Sequence, residues 1–228
     1  MRYHWLVVQQ GHLPLRPDHS FAPPLHEHRP TVTLLWPQDT RPQRDNSFLV
    51  DPYFTREGYK DALNTLKAQH IRLSDIGAYF STHQHFDHTL RLPAGVPTPD
   101  WRPLTHIPLG IRAVPCPGHA PELRALAFSA LDGARVWVVS DAILDEQWLR
   151  AWRCYWPNGY TPEAIAQTWR SLAVILAAAD VIVPGHGAPF AVSAALLDAL
   201  IADFPYAEHT QDCPEVADAL RQRLAALA

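Results

Sequence analysis

The chain has 228 residues, enough for one well-cored domain and short for two. Hydrophobic residues make up 47% and charged residues 18%, which excludes a disordered composition, and a net charge of −4 leaves no broad basic field to gather nucleic acid or an anionic membrane. The opening stretch MRYHWLVVQQGHLPLRPDHSFAPP has too short an apolar run for a signal peptide. The most apolar long stretch, LAVILAAADVIVPG, is interrupted by Asp180 and Pro184. The expectation is a soluble, cytoplasmic protein that acts on a small molecule, with no nucleic-acid or membrane partner. Cys116, Cys154 and Cys213 are odd in number and widely spaced, which argues against a disulfide framework and against a CxxC zinc site.

In chain order, HWLVVQ and TVTLLW read as strands and SFLVD as a short buried one. TREGYKDALNTLKAQ carries Tyr59, Leu63 and Leu66 at helical spacing, with Thr55 placed to cap it. IGAYFST is the next strand and runs straight into a histidine-rich stretch. GIRAVPCP, LRALAFSA and ARVWVVSD follow as three strands. TPEAIAQTWRSLAVILAAA is a helix with Thr161 as cap and Pro162 in its first turn. DVIVPG is a strand, and VSAALLDALIADF and PEVADALRQRLAAL close the chain as helices. The alternation predicts mixed α/β layers, two sheets between helices. The first half ends its strands near Ser81, and the second runs from about Gly110 to Gly185.

Residues 81–90 read STHQHFDHTL, so His83, His85, Asp87 and His88 fall within six positions. On an extended segment His83 and His85 project to the same side and can grip one ion. A turn after Phe86 would aim Asp87 and His88 elsewhere, toward a second ion. Imidazoles with a carboxylate suit zinc, and also iron or manganese. From the 13 His and 16 Asp of this composition, chance supplies the motif in roughly three chains per thousand. Three further candidates stand at or just past the ends of apolar strands: His119 after AVPCPG, Asp141 after VWVVS and His186 after VIVPG. That is where α/β sheets build their sites.

In order and strand context these seven residues resemble the ligand signature of the metallo-β-lactamase-fold hydrolases. The resemblance implies a four-layer αββα sandwich, with residues 1–228 as a single domain of that type. It implies two divalent metal ions, zinc first, with iron or manganese as alternatives. His83, His85 and His119 would bind one ion, Asp87, His88 and His186 the other, and Asp141 would bridge them. Asp51, in FLVD, matches a carboxylate that supports the site from outside the ligands. The chain departs from the family in three places: no glycine follows His88, the spacing from His88 to His119 is short, and LVDPYF replaces the usual turn after Asp51.

Two such cations about 3.5–4 Å apart make hydroxide available near pH 7 to attack a carbonyl carbon. The reaction implied is hydrolysis of an ester, thioester, lactone or amide-like bond, with Asp87 or Asp141 passing a proton to the leaving group. Histidine at position 85 favours hydrolysis over the diiron redox branch of the fold. The alternatives are a mononuclear iron persulfide dioxygenase of the same fold and a metal-binding protein with little catalysis. Trp148, Trp152, Tyr155, Trp156 and Tyr160 crowd the run just after Asp141, where they would form either a pocket wall or a packing surface. His26 and His28, in LHEHRP, lack a following Asp-His and read as a solvated, proline-rich loop. Cys116 reads as an inert buried thiol, and Arg150 and Arg153 as solvated.

Overall fold

The computed structural model describes residues 1–20, 28–155 and 161–227 and, among them, builds two five-stranded sheets. The first holds β1 (Tyr3–Gln9), β2 (Val32–Pro37), β3 (Phe48–Val50), β4 (Ala78–Phe80) and β5 (Arg102–Pro103), side by side in chain order. Helix α1 (Arg56–Ala68) connects β3 to β4, which run parallel. The second sheet holds β6 (Arg112–Pro115), β7 (Arg124–Ser129), β8 (Arg135–Ser140), β9 (Val181–Pro184) and β10 (Phe190–Ala191). Helices α2 (Glu146–Arg150) and α3 (Pro162–Ala178) lie between the parallel strands β8 and β9, and α4 (Ala194–Asp203) and α5 (Glu215–Ala225) close the chain. The remaining pairs in the two sheets are antiparallel apart from β4–β5. Each β–α–β crossover delivers the C-terminal ends of parallel strands to one edge, and the site gathers there.

Period-two alternation decides the layering. In β2 and β3, Leu35, Phe48 and Val50 point between the sheets, where they meet Leu126, Phe128, Val136, Val138 and Val183. Their neighbours Leu34 and Leu49 point outward, onto Ala62 and Leu66 of α1. On the other sheet Ala125, Ala127, Trp137 and Val139 face outward against α3, α4 and α5. Helices outside and sheets inside make the expected αββα sandwich. Both predicted caps form: the Thr55 hydroxyl accepts from Gly58 N, and Thr161 accepts from Ala164 N with Pro162 opening the helix.

The first sheet extends past Ser81 to Pro103, and the second past Gly185 to Ala191. The added strands, β5 and β10, are two residues each and too short to show a period. All three cysteines are free and buried, and burial pushes the Cys116 thiol up to about 11. Among the described residues no helix is long and apolar enough to cross a membrane.

Asp180, at the turn from α3 into β9, fastens layers together. It accepts from Arg135 at the start of β8 and from Arg223 on α5. Hydrogen bonds from Arg135 hold its carboxyl well below the usual range, against the opposing effect of burial. The stabilisation is therefore complete above the unfolded carboxylate pKa near 4 and is lost as the pH falls from there toward the depressed folded value. Asp180→Asn should cost about 1 kcal/mol at pH 7, modest because the pair is partly exposed. The melting difference from wild type should shrink below about pH 4. Equal melting temperatures at pH 7 would show that the clasp contributes nothing.

Candidate metal centre

The local backbone aims each side chain. After β4 the chain bends at Thr82 and His83 and then makes a single 3-10 turn over Phe86–His88, which carries Asp87 and His88. Ser140 ends β8 at φ 50°, following a register irregularity, and this left-handed residue turns Asp141 inward. Gly185 permits the close approach of β9: a Cβ there would lie 2.1 Å from Asp141 Oδ1.

Tetrahedral ligands about 2.0–2.2 Å from one ion lie roughly 3.3–3.6 Å from each other. His83 Nε2 and His119 Nε2 stand 3.0 and 2.9 Å from His85 Nδ1, and 3.9 and 3.3 Å from Asp141 Oδ2. The other oxygen of Asp141, Oδ1, lies 3.2 Å from both His88 Nε2 and His186 Nε2. Asp87 Oδ2 is 3.7 Å from the same two nitrogens. All seven predicted residues thus meet in one place, in two donor sets that share Asp141. His88 Nε2 and Asp141 Oδ1 are buried without a hydrogen-bond partner, although they face each other, and such convergence fits a cation between them.

Outer partners fix the histidine rings. His119 Nδ1 donates to Tyr155 O at 2.6 Å and His186 Nδ1 to Arg29 O at 3.0 Å, so each Nε2 presents a lone pair inward. Asp51, left-handed at φ 52°, accepts from His88 Nδ1, Thr82 N, Thr82 Oγ1 and Ser140 Oγ. Because the Thr82 hydroxyl donates to Asp51, it accepts from His83 Nδ1 at 3.1 Å. The carboxylate inferred at Asp51 therefore orients two of the histidines, one directly and one through a hydroxyl.

The electrostatics favour a cation. Burial lowers His83 to about 4, leaving it neutral at pH 7, and burial also lowers His119. Burial opposes a charge on Asp141, but His88, His186 and His119 outweigh it and hold the carboxyl well below the usual range. Burial likewise resists charge on His88, yet Asp141 and Asp51 raise its proton affinity well above the ordinary value. Asp87 is held at about 2, burial being outweighed by the His28 hydrogen bond and by His88. A divalent ion supplies the positive charge this cluster calls for and leaves the imidazoles neutral.

His28 belongs to the site, contrary to its reading as a solvated loop residue. Its Nε2 lies 3.1 Å from Asp87 Oδ2 and its ring centroid 4.8 Å from that of His186. Its side chain is 40% exposed, so it forms the outer face of a His28–Asp87–His186 group capable of holding a metal. The signal in the sequence was the HEHR pair itself, but its partners are distant in the chain. His26 lies outside the described residues, as do Trp156 and Tyr160.

A cavity of about 360 Å³ opens above the ligands, walled by Leu13, Leu15, Phe86, Leu144 and Tyr155. Of the aromatic run, Tyr155 lines it. Trp148 stands one layer behind, its indole donating to Leu15 O. Trp152 is a core residue instead, packed on Trp169 and Phe204 and donating to Leu200 O. Arg150 and Arg153 form outward ion pairs with Glu146 and Glu208.

No protein-family model matches the chain, and no curated protein matches it. Solved structures do. A metallo-beta-lactamase-type protein from Thermotoga maritima aligns at a TM-score of 0.57 and 14% identity, covering 84% of this chain and 100% of its own. The chain has the metallo-β-lactamase fold. AbOPH, a hydrolase of the beta-lactamase superfamily, aligns at 0.55 and 12% identity over 82% of this chain and 87% of its own. A quorum-quenching N-acyl homoserine lactone lactonase aligns at 0.51 and 16% identity over 82% and 92%. In the metallo-β-lactamase fold seen here, the seven candidates lie on the segments that follow β4, β6, β8 and β9.

Two substitutions test this geometry. Asp51→Asn should weaken metal affinity by about 10- to 100-fold, read by competition with a chromophoric chelator. His28→Ala should lower metal affinity with the melting temperature of the apo-protein unchanged; unaltered affinity would remove His28 from the site.

Proposed function

We propose that the protein is a metal-dependent hydrolase that cleaves an ester, thioester, lactone or amide-like bond at a carbonyl carbon, using two divalent cations, zinc foremost. Asp141 carries the reading, because its Oδ2 faces His83 and His119 while its Oδ1 faces His88 and His186. His83, His85 and His119 would hold one ion and Asp87, His88 and His186 the other, with Asp141 shared. Bound there, the ions supply polarisation of a carbonyl oxygen and a water acidified toward neutrality.

The chain's own residues do the rest. Asp51, Thr82, Tyr155 O and Arg29 O keep the imidazole nitrogens aimed inward, so no reorganisation is needed as charge develops. The apolar cavity walls border the place where the reacting carbonyl would sit. Both oxygens of Asp141 are committed to histidines. Asp87 meets its partners through Oδ2 and borders the cavity, which makes it the better-placed group to carry a proton to the leaving atom. The hydrolase and lactonase among the fold's solved relatives are consistent with this chemistry.

Elemental analysis of the purified protein tests the proposal first. About two zinc or manganese ions per chain are expected, and Asp141→Asn should lower both metal content and turnover, the latter by at least about a hundredfold. One iron per chain with persulfide-dependent oxygen uptake would replace hydrolysis by sulfur oxidation. Two bound ions with no turnover across an ester, thioester and lactone panel would indicate a binding protein.

A further inference from the structure

The cavity over the ligands has a one-sided chemistry. Apart from the ligand candidates and His28, its walls are Leu13, Pro14, Leu15, Phe86, Leu144 and Tyr155, and no Lys or Arg lines it among the described residues. Segments 21–27 (FAPPLHE) and 156–160 (WPNGY) contain no Lys or Arg either, His26 being the one basic residue in them. Two cations around the site are engaged, and the third stands outside this cavity. Arg29 pairs with Asp61, Arg91 lies over the Tyr53 ring, and Arg16 lines the adjoining cavity beyond Leu13 and Leu15, together with Asp145 and Glu146. Phe86 is 63% exposed between two ligand candidates, an apolar surface left uncovered at the cavity mouth. The walls are also built: Trp148 supports Leu15 from behind, and the Tyr155 carbonyl is tied to His119.

A substrate anion distant from the metals would face these leucines with no partner and would lose its hydration on entering. An apolar chain would gain there. We propose that the substrate carries an uncharged, apolar acyl or aryl group beside the scissile carbonyl and bears no anionic substituent on that group. This rests on the hydrolase reading above. It sets the protein apart from hydrolases whose substrates present a carboxylate or phosphate to a fixed cation. Among the described lining residues Tyr155 carries a neutral hydroxyl.

The experiment uses the metal-loaded protein and paired aryl esters: a linear acyl chain ending in methyl, and the same chain ending in carboxylate. Lengths run from two to eight carbons. The methyl-terminated series should gain about fourfold in kcat/KM per methylene until the cavity is filled, and should exceed its carboxylate-terminated partners by at least about tenfold at equal length. Leu13→Lys, at the half-buried rim, should narrow that preference, with Leu15→Lys as the second variant should the first fold poorly; melting temperature and metal content check both. Equal or reversed preference in the wild type would overturn the substrate class while leaving hydrolysis intact. If no ester is turned over, calorimetric binding of the corresponding ketones decides the class: tighter binding of the methyl-terminated ketones upholds it, and no discrimination overturns it; hydrolysis itself fails only if thioesters and lactones are not turned over either.

Discussion

Asp141 is a carboxylate only 4% exposed, with imidazoles against both of its oxygens. An anion so placed persists only where positive charge is supplied from within hydrogen-bond or ligand distance, because no water shell remains to stabilise it. Much of the local architecture follows from that requirement. Ser140 adopts a left-handed conformation to turn the side chain inward, and Gly185 gives up a side chain to leave room for it. The loops carrying them are laced together by Gly185 N to Ile143 O and His186 N to Leu144 O. The strain and the lost side chain are local; the apolar layers on either side hold the arrangement in place.

Asp51 solves a different problem. It stands at the end of β3 in the first sheet but accepts from Ser140 at the end of β8 in the second, as well as from Thr82 and His88. One buried carboxylate therefore pins the two sheets together at the edge where the ligands gather. The apolar layer between the sheets sets their separation, and this polar network sets their registration at the site. Stability and ligand geometry share residues here, so changes in the interlayer core will be felt at the metal centre.

The parts legible in the sequence were those written in short-range pattern. Strand alternation, two helix caps and seven candidate ligands after apolar strands each declare themselves within a few positions. What escaped was non-local or too short. The strands β5 and β10 have two residues each and no period to read. His28 looked like one of two solvated histidines because its partners, Asp87 and His186, arrive from other parts of the chain. Trp148, Trp152 and Tyr155 looked alike in composition, yet one buttresses the wall, one packs in the core and one lines the cavity. Position along a short helix and the turn after it separated them, and burial of large aromatic area favoured the core for Trp152.

Two of the candidate ligand histidines are oriented by peptide carbonyls, those of Tyr155 and Arg29, rather than by side chains. A carbonyl is present whatever amino acid occupies the position. The side chain at 155 is therefore at liberty to change while the ring it steadies keeps its tautomer and direction. The same residue thus meets the site through separate atoms, its backbone steadying His119 and its side chain lining the cavity. A scaffold wired in this manner lets the cavity wall change under mutation while the ring behind it keeps its place.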